Sequence, residues 1–207
     1  MMKVLLTGFE PFGGETRNPS AEIVECLPDK IGGAEIRKLI LPVVRGKASA
    51  AVREAVENIR PDVILSIGQA GGRGEISVER VAINLDDYRI PDNEGNRPVE
   101  EPVVPGGPDG YFCTVPVKKM ADAIQAAGIP ASVSLSAGSF VCNHVMYATL
   151  HMLAECYPNT RFGFIHIPYL PEQVTDKPNL PSMILELSVK AVMVALQAAL
   201  EEGVQYE

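Results

Sequence analysis

Three side chains in this sequence have the types and placement for nucleophilic chemistry: Cys142, His166 and Glu79. Cys142 follows the run Ser136-Ala137-Gly138-Ser139-Phe140-Val141 and opens the helix-like stretch Cys142–Cys156. A thiol at a helix start feels the positive end of the helix macrodipole, which favours the attacking thiolate. The free backbone N–H groups there can also hold an oxyanion. The plain alternative is an inert, buried small side chain. A thiol nucleophile needs a base, and the chain has 3 histidines. His144 lies two residues beyond Cys142 and so projects to a different side of the same helix. His151 is about two and a half turns along it. Both are poorly placed, and the position of His144 has no evident purpose in the sequence. His166 ends an apolar run, Phe162–Ile167, and is the better base. Glu79, a carboxylate within the strand-like Ile76–Leu85, is the candidate to orient it. A surface pair with Arg80 is the competing reading.

The elements around these residues alternate. Val4–Thr7 reads as a buried strand. Ala21–Leu27 reads as a helix with Asn18 as N-cap and Pro19 at its first position. Ile36–Val44 is a strand, and Lys47–Ile59 carries a clear amphipathic period ended by Pro61. Val63–Ile67 is fully apolar, as a strand in a parallel sheet must be. Asp86–Pro116 is rich in Pro, Gly and Asp, which in a compact domain marks a functional stretch. Val117–Ala127 is helical, Ser132–Ser136 a strand, and Leu180–Glu201 a long apolar helix, expected to pack partly against another subunit. The fold expected is α/β: a single domain over residues 1–207, a three-layer α/β/α sandwich with a mostly parallel twisted sheet.

In such sheets ligands bind beyond the carboxyl ends of the strands. Four of those ends carry distinctive residues and are expected on one rim. They are Phe9-Glu10-Pro11-Phe12, Gly68-Gln69-Ala70-Gly71-Gly72-Arg73-Gly74, the approach to Cys142, and His166-Ile167-Pro168-Tyr169. Phe9 and Phe12 flank a loop proline and can pinch a small flat apolar group. The glycine-rich loop lacks the Gly-Lys-Ser/Thr ending of a phosphate cradle, and a strand follows it.

Composition sets further limits. A net charge of −8 with no basic tract excludes nucleic acid as the expected partner. The first apolar run is too short for a signal peptide, which leaves the cytoplasm as the expected compartment. The apolar part of the last helix is too short for a bilayer. The four cysteines (Cys26, Cys113, Cys142, Cys156) have neither zinc-site nor disulfide spacing.

Several long motifs together resemble the pyroglutamyl peptidase I (pyrrolidone-carboxylate peptidase) family of cysteine peptidases. They are Thr7–Gly14, Gly68–Arg73 with Ile76–Asn84, Asp87–Asn93, Ser139–Asn143 with Tyr147, and Phe164–Pro168. The resemblance covers essentially the whole chain. It implies hydrolysis of the bond after an N-terminal pyroglutamyl residue by a Glu79, Cys142 and His166 triad, with no metal or organic cofactor. It also implies a lactam pocket of Phe9, Phe12 and Gln69, oxyanion support from Arg89, and a homo-oligomer, which is a tetramer in that family. The alternatives on a related scaffold are a nucleoside phosphorylase-like enzyme and a non-catalytic small-molecule binder; in both, Cys142 would be structural.

Overall fold

The computed structural model describes residues 1–201. In chain order the elements are β1 (Lys3–Phe9), α1 (Pro19–Cys26), β2 (Lys30–Ile31), β3 (Ala34–Leu41), α2 (Lys47–Ile59), β4 (Val63–Gln69), β5 (Ile76–Glu79), β6 (Val81–Ile83), β7 (Gly110–Phe112), α3 (Val117–Ala126), β8 (Ala131–Ser134), α4 (Val141–Cys156), β9 (Arg161–Ile167) and α5 (Leu185–Leu200). Seven strands form one sheet in the order β2-β3-β1-β4-β9-β5-β8, and β6 and β7 form a separate hairpin-like pair.

Each sheet face carries its own apolar layer, because alternate side chains of a strand point to opposite faces. Leu5, Ile64, Phe162 and Phe164 pack with Val52 and Val56 of α2 and with Val145 and Leu150 of α4. On the other face Val4, Leu6, Leu65 and Ile165 pack with Ile23 of α1, Ile124 of α3 and Leu196 of α5. The result is the expected three-layer α/β/α sandwich. Burying a Leu or Ile side chain in such a layer contributes about 1.5–3 kcal/mol, so the two layers fix where the helix starts stand relative to the strand ends.

The sheet departs from the sequence reading in two ways that matter for the site. β1, β3, β4 and β9 run parallel, but β5 is antiparallel to β9, and β8 is parallel to β5. The end of β8 therefore points away from the rim formed by β1, β4 and β9. Three strand ends converge rather than four, and the segment after Ser134 has to return to reach α4. The second difference is that Ile76–Leu85 is not one strand. At Arg80 the chain leaves the main sheet, with its N–H bonded to the Ser134 carbonyl at 2.8 Å and its carbonyl receiving the Cys113 N–H at 2.8 Å. Beyond that point β6 pairs with β7. The β7 strand lies inside the stretch read as irregular.

Local signals place the remaining boundaries. Asn18 caps α1, accepting the Ser20 N–H at 3.0 Å, and Pro19 takes the first helical position. Lys47–Ile59 forms α2 with the bounds its periodicity predicts. α5 begins at Leu185 instead of Leu180, because Ser182 bridges to Tyr169 and the Met183 N–H is bonded to the Tyr169 carbonyl at 2.8 Å.

Candidate active site

Cys142 is the second residue of α4, whose N-cap position is Phe140 and which has no side-chain cap. The first N–H groups of a helix have no intrahelical partner, so the amides around Cys142 remain available. The next residue anchors the helix start. Asn143 accepts the Ile83 N–H at 3.0 Å and donates to the carbonyls of Ile83 and Leu85, each at 2.9 Å. The thiol itself points down onto the sheet at Gly68. A β-carbon added at Gly68 would lie 2.9 Å from the Cys142 Sγ and 2.9 Å from the Phe164 ring. Gly68 is also the register partner of His166 across β4 and β9, so the missing side chain makes room for the sulfur beside the histidine.

Glu79 and His166 are brought together by the β5–β9 pairing. Ser77 stands opposite His166 and Glu79 opposite Phe164, which puts Glu79 and His166 on one face, two residues out of register. The His166 Nδ1 lies 2.8 Å from the Glu79 Oε1. Both side chains are almost wholly buried, at 4% and 0% exposure. Burial alone would raise the Glu79 pKa, but the hydrogen bond and charge of His166, with bonds from Ser134 and Arg73, hold it below the ordinary carboxylate value. An ionised carboxylate can only accept, so the Nδ1 carries a proton, and in the neutral imidazole the Nε2 is then the acceptor. Glu79 is thus bonded to His166, and its basic partner is Arg73 rather than Arg80.

Arg73 is a site residue that the sequence reading passed over. Its guanidinium donates to the Glu79 Oε1 at 2.6 Å and to the Ser136 carbonyl at 2.9 Å. One side chain thereby ties the carboxylate to the segment leading into Cys142. A charged residue inside a glycine-rich loop after a buried strand was the available signal.

The thiol departs from expectation. Burial, and secondarily the negative charge of Glu79, push Cys142 up to about 12, with Arg73 opposing. Desolvation is the larger influence on the thiol, and it opposes the helix end.

Cys142 and His166 open onto a cleft of about 420 Å³ that Phe12, Gln69, Arg73, Arg89, Phe140 and Tyr169 help to line. Next to it is a small recess formed by Phe9, Phe12, Asn18, Val43, Gln69, Phe140, Val141 and Cys142. Phe9 is the last residue of β1 and is buried against Phe164, with ring centroids 6.3 Å apart; it is a floor residue, not the loop residue its sequence suggests. Its N–H is held by the Ser20 Oγ at 2.9 Å. Phe12 lies against Phe140 at 5.8 Å. Gln69 is buried at the end of β4, and Arg89 stands exposed on the cleft wall. Among the described residues no group of three or more His, Cys, Asp or Glu side chains gathers as a metal site.

The pyroglutamyl peptidase family profile matches residues 2–202. The chain belongs to the pyroglutamyl peptidase family. It is 53% identical to a pyrrolidone-carboxylate peptidase of Finegoldia magna, over 97% of this chain and 94% of that one. A pyrrolidone-carboxylate peptidase of Treponema denticola is 52% identical, over 98% and 95%. The crystal structure of pyroglutamyl peptidase I from Bacillus amyloliquefaciens superposes with a TM-score of 0.93 at 49% identity, covering 96% of this chain and 97% of that one. A mutant pyrrolidone carboxyl peptidase from Pyrococcus furiosus gives 0.94 at 48% identity, over 98% and 100%.

Within this peptidase the other two histidines have structural partners. His144 pairs its Nδ1 with the Asp86 Oδ2 at 2.8 Å and accepts the Gly46 N–H on its Nε2 at 3.3 Å. Asp86 also receives the Arg45 Nε at 2.8 Å. His144 therefore fastens the start of α2 and the segment carrying Asp87 and Arg89 to α4, the helix of Cys142. His151 meets the Tyr111 hydroxyl at 2.9 Å. Gln173 is the second missed residue: its Nε2 donates to the Gln69 Oε1 at 2.9 Å.

Proposed function

We propose that this peptidase hydrolyses the bond after an N-terminal pyroglutamyl residue, with Cys142 as nucleophile, His166 as general base and acid, and Glu79 as the group that orients His166. The observation that carries this reading is the 2.8 Å contact of Glu79 with His166, which stands on the strand beside Gly68, over which the Cys142 sulfur sits. The substrate carbonyl enters the cleft above the thiol. His166 takes the thiol proton as sulfur attacks the carbonyl carbon, because a thiol pushed up to about 12 does not ionise unaided near neutrality. The tetrahedral oxyanion is held by the free amides at the start of α4, with Arg89 assisting from the cleft wall. His166 then gives its proton to the leaving amine. Water, deprotonated by His166, hydrolyses the pyroglutamyl thioester and restores the thiol. No step requires a metal or organic cofactor.

The pyroglutamyl ring is small, uncharged and flat, which suits a recess walled by Phe9, Phe12 and Gln69. That recess holds about 10 Å³, so half-buried Phe12 must move to admit the ring, while Phe9 stays in the core. One peptidase domain over residues 1–207 carries the activity, in the cytoplasm. No helix among the described residues is long and apolar enough to cross a membrane. A homo-oligomer is the proposed assembly, supported by Phe112, 70% exposed on the β6–β7 pair opposite Val81. The test of function is release of a chromogenic amine from a pyroglutamyl conjugate, with the glutaminyl conjugate as control. Cleavage of the first alone is expected, and equal cleavage of both would overturn the pocket.

A further inference from the structure

Gln69 and Gln173 meet side chain to side chain, and the direction of their hydrogen bond has chemical consequences. An amide's oxygen and nitrogen exchange places on a half-turn, so a third partner must fix which group donates. That partner is a backbone group of fixed polarity. The Leu170 N–H can only donate, and it donates to the Gln173 Oε1 at 3.0 Å. The Gln173 Nε2 is then turned the other way, towards acceptors. They are the Gln69 Oε1 at 2.9 Å, the Arg17 carbonyl at 3.4 Å and the Glu15 carboxylate at 3.4 Å. The Glu15 carboxylate is itself held by the Lys177 ammonium at 2.7 Å. Both glutamines are buried, at 8% exposure for Gln69 and 6% for Gln173. A flipped amide would set two like groups against each other away from water, which is costly.

The chain of polarity therefore runs from the Leu170 N–H through Gln173 to Gln69, and it leaves the Gln69 NH₂ for the cleft and recess that Gln69 lines. The sequence alone suggests that Gln69 offers a lactam both a donor and an acceptor. The structure shows its oxygen already engaged by Gln173.

We propose that Gln173 is a specificity-determining positioning residue that holds the Gln69 amide as a donor toward the lactam carbonyl oxygen of the pyroglutamyl ring. This rests on the reading of the cleft given under the proposed function. The arrangement favours a five-membered ring with a carbonyl next to its nitrogen over a prolyl ring of the same size, which has no acceptor there.

Two variants test it. Gln173→Met removes the group that fixes the direction. Gln173→Glu in a Glu15→Gln background reverses it: both carboxylate oxygens accept, one from the Leu170 N–H and one from the Gln69 NH₂, which turns the Gln69 oxygen into the cleft. Glu15→Gln alone is the control. Steady-state kinetics on a pyroglutamyl conjugate should show KM raised roughly tenfold in Gln173→Met and further in the reversed variant. A bond made equally in the ground and transition states leaves kcat within about twofold. If Gln173→Met does not fold, the reversed variant, which keeps a bond to the Leu170 N–H and one to Gln69 and gives up only the 3.4 Å bond to the Arg17 carbonyl, decides the matter. Wild-type KM in the folded variants, or a loss confined to kcat, would overturn the proposal. A wild-type protein that leaves the pyroglutamyl conjugate intact would instead remove the underlying reading of the cleft.

Discussion

The Cys142 sulfur occupies the space that a side chain at residue 68 would need: a β-carbon there would come within 2.9 Å of it. Gly68 is thus required by the neighbouring Cys142 sulfur and Phe164 ring rather than by the backbone. Gly68→Ala forces the thiol or the Phe164 ring to shift, and a misplaced nucleophile loses on the order of a hundredfold in rate. The expected outcome is a folded protein with kcat/KM down by about that factor and KM little changed, read by circular dichroism and kinetics together. Full activity in Gly68→Ala would mean that the sulfur works from another position.

His166→Ala should lower kcat on the order of a thousandfold, and Glu79→Gln roughly a hundredfold. The first removes the group proposed to move the proton. The second keeps an oxygen that can accept from the Nδ1–H but loses the charge that stabilises the imidazolium. Steady-state rates of both variants check the order, and equal, mild losses would move the base elsewhere.

A thiol pushed up to about 12 predicts how alkylation depends on pH. The rate of iodoacetamide addition at Cys142, followed by peptide mass mapping, should keep rising through pH 10. It should show no plateau near the free-cysteine value of about 8.5. A plateau at or below neutrality would indicate a resting thiolate–imidazolium pair.

Glu79 also links stability to pH. Its carboxyl is held below the ordinary value, so the folded state gives up this proton more readily than the unfolded chain. The contribution is complete above the unfolded value of about 4.3 and is lost as pH falls through the lower folded value. The stability gap between wild type and Glu79→Gln, from denaturant titrations at several pH values, should narrow steadily on acidification. A gap that stays constant would mean that Glu79 gains no charge-dependent stabilisation.

The sequence discloses some of this arrangement and conceals the rest for identifiable reasons. α2 falls where its apolar period predicts because both its ends are local events. Residue type and placement single out Cys142, His166 and Glu79, which the structure brings together. Strand direction does not: nothing in Ile76–Glu79 or Ala131–Ser134 says that both run against β9, because that is decided by how the chain crosses the sheet. The break at Arg80 shows only as a change of phase, from apolar Ile76 and Val78 to apolar Val81, Ile83 and Leu85, which does not say that the pairing partner changes there. Desolvation of the thiol depends on what packs around Cys142. Gln173 left no trace at all, since its role lies in a bond to a residue 104 positions away.

The measurement closest to the central claim is intact-mass and peptide-mass analysis of the enzyme quenched during turnover of a pyroglutamyl ester. The predicted result is one pyroglutamyl group on Cys142, released by hydroxylamine as a thioester must be, with no adduct and no turnover in Cys142→Ala. Sustained turnover in Cys142→Ala, or the group found on another residue, would contradict Cys142 as the nucleophile.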